Sequence, residues 1–158
     1  MADQPVSFAA FAAAVPDFAA AARRLFVGAD GVAIGFLATV SAEGRPHLSP
    51  VCPVFCADDV YVVAVARSPK AADLRSRGAY VLHAFLGAND EELQLAGRAF
   101  EVERGEERAA VHAAIPFASF DRADPIFRLG VERALWVYWE RPGQPDTRAV
   151  RRRWAAAP

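Results

Sequence analysis

The chain has 158 residues, 54% of them hydrophobic and 23% charged, with a formal net charge of −1. That length allows one domain with a real core and excludes two of ordinary size, while the composition excludes a largely disordered chain. The near-zero charge leaves no global field to gather nucleic acid or an anionic membrane.

The opening Met1–Gln4 is acidic where a secretory signal needs a basic region, and the apolar stretch from Phe8 meets Pro16 and Asp17 too early to cross a bilayer. A cytoplasmic protein without a membrane partner is expected. Ser7 can cap a helix in which Phe8, Phe11, Val15, Phe18, Ala22 and Leu25 recur at steps of three and four. Pro16 interrupts it, which predicts a kink or two short helices with Val15 outside helical angles. Residues 1–28 are read as a helical segment packing on a domain formed by 29–158.

After Gly31 the pattern turns to strands: Val32 to Ser41, Arg45 to Cys56 and Asp59 to Ala66, joined by turn residues at hairpin separations. Pro46, Pro50 and Pro53 remove ladder donors from the second strand. It is therefore expected at an edge, bulged, or with an open side facing something other than backbone, such as a ligand. Next, Ser68 is a good helix cap, Pro69 fits the first helical position and Gly78 is a natural stop. Arg67 and Lys70 flank this helix start, where the macrodipole disfavours cations; a bound anion such as phosphate would offset that.

Ala79 to Gly87 and Glu91 to Glu103 read as a second hairpin, with Leu93, Leu95, Phe100 and Val102 turned inward. Gly105 to Pro116 reads as a helix, and Ile126 to Glu140 as a long aromatic strand bulged at Gly130. A turn and a short basic segment end the chain. Six antiparallel strands with inserted helices make a mainly β (α+β) chain and suggest a small barrel.

No phosphate loop, nucleophile elbow or zinc-protease helix is present. His47 and His83 lie in apolar strands and read as hydrogen-bonded core or interface imidazoles; His112 reads as a helix-surface residue. Cys52 and Cys56, if extended, stand about 13 Å apart at about 3.3 Å per residue, too far for a mutual disulfide. No metal site is assigned.

The succession "GFLATVSAEGRPHLSPV", an apolar strand, "SPKAADLRS", another strand and "LQLAGRAFEV" resembles the split-barrel flavin-binding family typified by pyridoxamine 5′-phosphate oxidase, over Val32 to Val102. The resemblance implies a six-stranded antiparallel split β-barrel with flanking helices. It also implies a homodimer holding FMN between its subunits, and a flavin-dependent oxidoreductase acting on a small organic substrate. Carried onto this chain, Ser49, Pro50 and Val51 would touch the flavin ring, and Val63 and Ala64 would lie near the ring or ribityl chain. Ser68, Pro69 and Lys70, beside Arg67, would hold the phosphate. Trp139, Arg148 and Arg152 would reach the cofactor or substrate from the partner chain. The family's phosphate-neutralising cations on the second strand are matched here by Ser49 and Val54, which makes deazaflavin an alternative cofactor. A non-catalytic barrel binding flavin, or heme through His47 or His83, is a further alternative. No catalytic acid or base is assigned.

Overall fold

The computed structural model describes residues 4–116 and 120–157. Helix α1 spans Phe8–Ala14 and α2 spans Pro16–Phe26. Between them Val15 has φ −140° and ψ 72°, the break that Pro16 imposes. Ser7 Oγ accepts from the Ala10 N–H at 3.1 Å, and Asp59 Oδ1 accepts from the Phe8 N–H at 2.8 Å, so a strand residue caps the helix from outside. Phe8, Phe11, Phe18 and Phe26 are buried and belong to the same core as the sheet. The two helices thus complete that core rather than decorate it.

Among the described residues eight strands follow, where six are expected from the sequence: β1 Gly35–Val40, β2 Pro46–Val51, β3 Val54–Cys56, β4 Asp59–Val63, β5 Ala79–Ala84, β6 Glu92–Glu101, β7 Ile126–Glu140 and β8 Arg148–Ala155. Helix α3, Pro69–Ser76, lies between β4 and β5, and α4, Glu106–Ala114, between β6 and β7. The two extra strands have separate causes. Arg45 to Cys56 breaks at Cys52 and Pro53 into β2, which pairs with β1, and β3, which pairs with β4. The basic tail forms β8 because Val150, Arg152 and Trp154 alternate with exposed residues, so its half-buried side packs inward against β7's neighbours.

Strand order is β2-β1-β5-β6-β7-β4-β3, with β8 added to β7. Its two ends, β2 and β3, are joined by just two residues. The antiparallel sheet must therefore curl on itself, which yields the split barrel. β2 is an edge strand pairing only with β1, as its prolines require. Ala57 and Asp58, at φ 47° and 63°, form the tight β3–β4 turn.

β6 and β7 slip register between Ala96 and Gly97, leaving Glu132 as the extra residue, close to the bulge expected at Gly130. Leu93 and Leu95 point inward; Phe100 has the opposite parity and is exposed, against expectation. Val102, beyond the strand's end, is buried in a second cluster beneath α4 with Tyr61, Val63 and Ile126.

The barrel is tied to α2 at the turn before β6. Arg24 donates to both carboxylate oxygens of Glu91 at 2.8 and 2.7 Å, and Trp136 Nε1 donates to Oε1 at 2.8 Å. The guanidinium holds the Glu91 carboxyl below its usual range. A group with a lowered folded pKa adds stability above its unfolded pKa of about 4.3, and that stability disappears as pH falls through the folded value. Glu91→Gln keeps an acceptor for Trp136 and loses the charge. It should cost about 1 kcal/mol at pH 7 and nothing once the wild-type Glu91 carboxyl is protonated in the folded and unfolded protein alike, measured by urea denaturation across pH. An equal deficit at pH 7 and in acid would refute the electrostatic assignment.

Candidate functional site

β4 explains itself by two-sided burial. Val60, Val62 and Ala64 face the main core, whereas Tyr61 and Val63 face the cluster beneath α4, hence the uninterrupted apolar run. Where β4 leaves the sheet, Val63 and Val65 meet Pro50, Val51 and Cys52 of the β2–β3 corner, with Ile34 and Lys70 alongside. These residues line a cleft of about 310 Å³. Its walls are apolar apart from the Lys70 ammonium and the Cys52 thiol. Burial pushes that thiol's pKa up, so it is protonated at neutral pH and is no nucleophile.

Helix α3 begins as its sequence dictates, with Ser68 as cap and Pro69 at the first position; Gly78 follows it at φ +68°. Its first turn is less open than a bare helix end. Pro69 has no N–H, and the Ala71 and Ala72 N–H groups donate to the Ser68 carbonyl at 3.1 and 3.3 Å. An anion here would meet chiefly Lys70. Arg67 is exposed, and neither Arg67 nor Lys70 has an ion-pair partner among the described residues. The loop before the helix is fixed by buried Asp124, whose Oδ1 accepts from the Ala66 N–H at 2.9 Å.

Of the sequence-derived candidates, the fold brings Pro50, Val51, Val63 and Lys70 together at the cleft. Ser49 is half-buried one residue behind it, Ala64 is fully buried in the core, and Arg67, Ser68 and Pro69 lead into α3 without lining the cleft. Trp139, Arg148 and Arg152 sit on the β7–β8 hairpin. There Arg148 pairs with Glu140 at 2.7 Å, while Arg152 pairs with Asp17 and stacks on Phe18 and Trp136 at 4.9 and 5.3 Å. Trp139 is 43% exposed.

One polar network escapes the sequence. Thr39 and His47 are cross-strand partners, and both bond the same oxygen of buried Asp73: Thr39 Oγ1 donates at 2.6 Å and His47 Nδ1 lies at 2.7 Å. Asp73 lies three residues after Lys70, on one face of α3. That spacing was the available signal, and it joins β2 to α3, the two walls of the cleft. His83 contacts the Ala84 carbonyl and lies 3.8 Å from Glu92. His112 is half-buried rather than on a free helix surface, and its Nε2 has no partner among the described residues.

Beside the cleft the outer sheet face is largely apolar, with His83 opposite Phe36. Leu48 is 68% exposed and aligns across strands with Ala38 and Val81; Phe36 aligns with Pro50 and packs on Phe85, ring centroids 4.8 Å apart. Contiguous apolar surface of this kind marks an interaction face. No helix among the described residues is long and apolar enough to cross a membrane.

The profile of the pyridoxamine 5′-phosphate oxidase family matches residues 30–137. No curated protein matches the chain. Among solved structures, a heme binding protein from Mycobacterium smegmatis is similar at 21% identity and TM-score 0.57, over 83% of this chain and 57% of that one. This chain thus spans little more than half of that protein. PhzG from Burkholderia lata, in complex with tetrahydrophenazine-1-carboxylic acid, aligns at 15% identity and TM-score 0.55 over 89% of this chain and 90% of its own. HupZ from Group A Streptococcus aligns at 17% identity and TM-score 0.60 over 72% and 94%. At these identities the likeness is one of fold.

Proposed function

The chain belongs to the pyridoxamine 5′-phosphate oxidase family, and on that premise we propose that it is a homodimeric flavoprotein that uses FMN to oxidise or reduce a small organic substrate. The observation that carries this reading is the cleft itself: apolar walls from Pro50, Val51 and Val63 converge with Lys70 at the start of a helix. Apolar walls suit a planar ring system, and a lone ammonium at one end suits a phosphate. Bound flavin would supply the hydride or electron transfer; the chain supplies position, charge and exclusion of water.

The same geometry argues for the dimer. At about 310 Å³ the cleft of one chain is at the lower limit of small-molecule pockets, about 300–1,000 Å³, so a second surface would have to enclose the ring. The adjoining apolar face with Leu48 and Phe36 offers that surface to a second copy. Across such an interface exposed Trp139 is the hairpin residue available to the partner's cleft; Arg148 and Arg152 are already engaged by Glu140 and Asp17. With one cation in the cleft the phosphate is weakly neutralised, which keeps deazaflavin as the alternative cofactor.

The test is titration of the purified protein with FMN, read by flavin absorbance alongside molecular mass by light scattering. One flavin per chain on a dimer is expected. Leu48→Glu should yield monomers and weaken FMN binding at least about tenfold, or 1.4 kcal/mol. Protein that takes up neither FMN nor a deazaflavin refutes the reading. A Soret band on adding hemin, in place of flavin uptake, would move it to the heme-binding barrel.

A further inference from the structure

We propose that a second cavity, beneath α4, is a binding site for a small organic anion with an apolar body. The cavity measures about 870 Å³, well within the range of small-molecule sites. Its polar wall carries Arg104, Arg108 and Arg122; its apolar wall carries Ile115, Phe120 and Pro125.

The charge is only partly offset from within. Arg108 donates to the backbone carbonyls of Val102, Arg122 and Asp124 at 3.1, 2.8 and 2.7 Å, so its hydrogen bonds go to neutral dipoles, although the Glu101 carboxylate is near enough to feel its charge. Arg104 and Arg122 have no side-chain ion pair among the described residues. Of the two acids on the wall, Glu101 is taken up by a bidentate pair with Arg75 at 2.8 and 2.7 Å, leaving Glu103 against three guanidiniums. Three guanidiniums on one wall, one of them held in place by three carbonyls, select a carboxylate, sulfonate or phosphate.

His112 adds direction. Its ring lines the same cavity, and its buried Nε2 meets no partner among the described residues. A buried ring nitrogen without a partner is unfavourable, so a ligand that draws the His112 ring toward the cavity and bonds it would remove that cost. The body of the ligand would lie on Ile115 and Phe120, which pack on the cluster beneath α4. Phe120 also lines the Lys70 cleft, so the two cavities adjoin. That the bound anion is the flavin's substrate rests on the reading above; that the cavity binds an anion does not.

The probe is anilinonaphthalene sulfonate, an anion on an apolar body, followed by its fluorescence on the whole protein with phenylnaphthylamine as its neutral counterpart. One anionic probe per chain is expected. Arg104→Gln with Arg122→Gln should weaken it about tenfold or more and leave the neutral compound unchanged, and His112→Phe should weaken it several-fold. Arg45→Gln, on an exposed turn, serves as the control. Equal affinity in wild type and the double variant, or equal loss for both probes, overturns the proposal. Protein that binds no flavin yet holds the probe through Arg104 and Arg122 supports the anion site and defeats the flavin reading alone.

Discussion

Gly97→Ala is expected to cost about 2–4 kcal/mol of stability, among the largest effects available to a single methyl group in this chain. Gly97 sits where β6 and β7 slip register, and a Cβ built there would stand 2.1 Å from the Gly130 carbonyl oxygen and 2.9 Å from the Glu132 nitrogen. Both are backbone atoms of the longest strand, so neither can swing aside as a side chain would. Moving the Gly130 carbonyl also disturbs buried Tyr80, whose hydroxyl donates to it at 3.1 Å. A buried hydroxyl left without its acceptor adds about 1–3 kcal/mol at most. For a chain of this size each kcal/mol lowers Tm by about 2–4 °C, so thermal and urea denaturation should both resolve the change. Gly130→Ala is the comparison: its Cβ would meet the Pro5 and Phe100 side chains at 2.9 and 3.0 Å and the Arg98 carbonyl oxygen at a looser 3.2 Å, and Phe100 is exposed enough to move. If the two variants are equally stable, the bulge does not have the close backbone approach described.

How much of this architecture can be seen in the sequence depends on the range of the physics. The Ser68–Pro69 start and Gly78 stop of α3, the break at Pro16 and the inward Leu93 and Leu95 are local rules, and the structure follows them. The strand count fails where the deciding partner is distant. Nothing within Arg45 to Cys56 says that its halves belong to opposite ends of one sheet; only closure of the barrel makes Cys52 and Pro53 a corner. β8 was hidden because its inward positions include Arg152, which counts as polar until Phe18, Trp136 and Asp17 are placed around it.

The candidate site divides in the same way. Lys70, Pro50, Val51 and Val63 were named from motif order and do meet at one cleft. The Thr39–Asp73–His47 network needed the β1–β2 register and the face of α3 together, and the cavity beneath α4 gathers residues from Glu101 to Pro125 that share no spacing pattern. Sequence order locates the Lys70 helix start because consecutive residues build it. It does not locate a pocket whose cations come from a helix and the loops on either side of it.

Lys70→Ala is expected to weaken FMN binding by about 1.5–3 kcal/mol, the worth of a hydrogen bond to a charged group, or roughly 10- to 150-fold in Kd. The size follows from what α3 does not offer. With Pro69 lacking an N–H and Ala71 and Ala72 already donating to Ser68, the Lys70 N–H is left alone in the first turn, too little to hold a phosphate once the ammonium is gone. Arg67 is exposed and does not line the cleft, so Arg67→Ala should have the smaller effect, with a stronger salt dependence as befits a screened surface charge. Lys70 has no ion-pair partner among the described residues, so its removal should leave the thermal midpoint of the apoprotein unchanged and separate binding from folding. Riboflavin, which lacks the phosphate, supplies the internal control: it should bind wild type and Lys70→Ala alike if Lys70 reads the phosphate. A loss of affinity for riboflavin as large as that for FMN would place Lys70 against the ring instead, and an unchanged FMN affinity would remove it from the site.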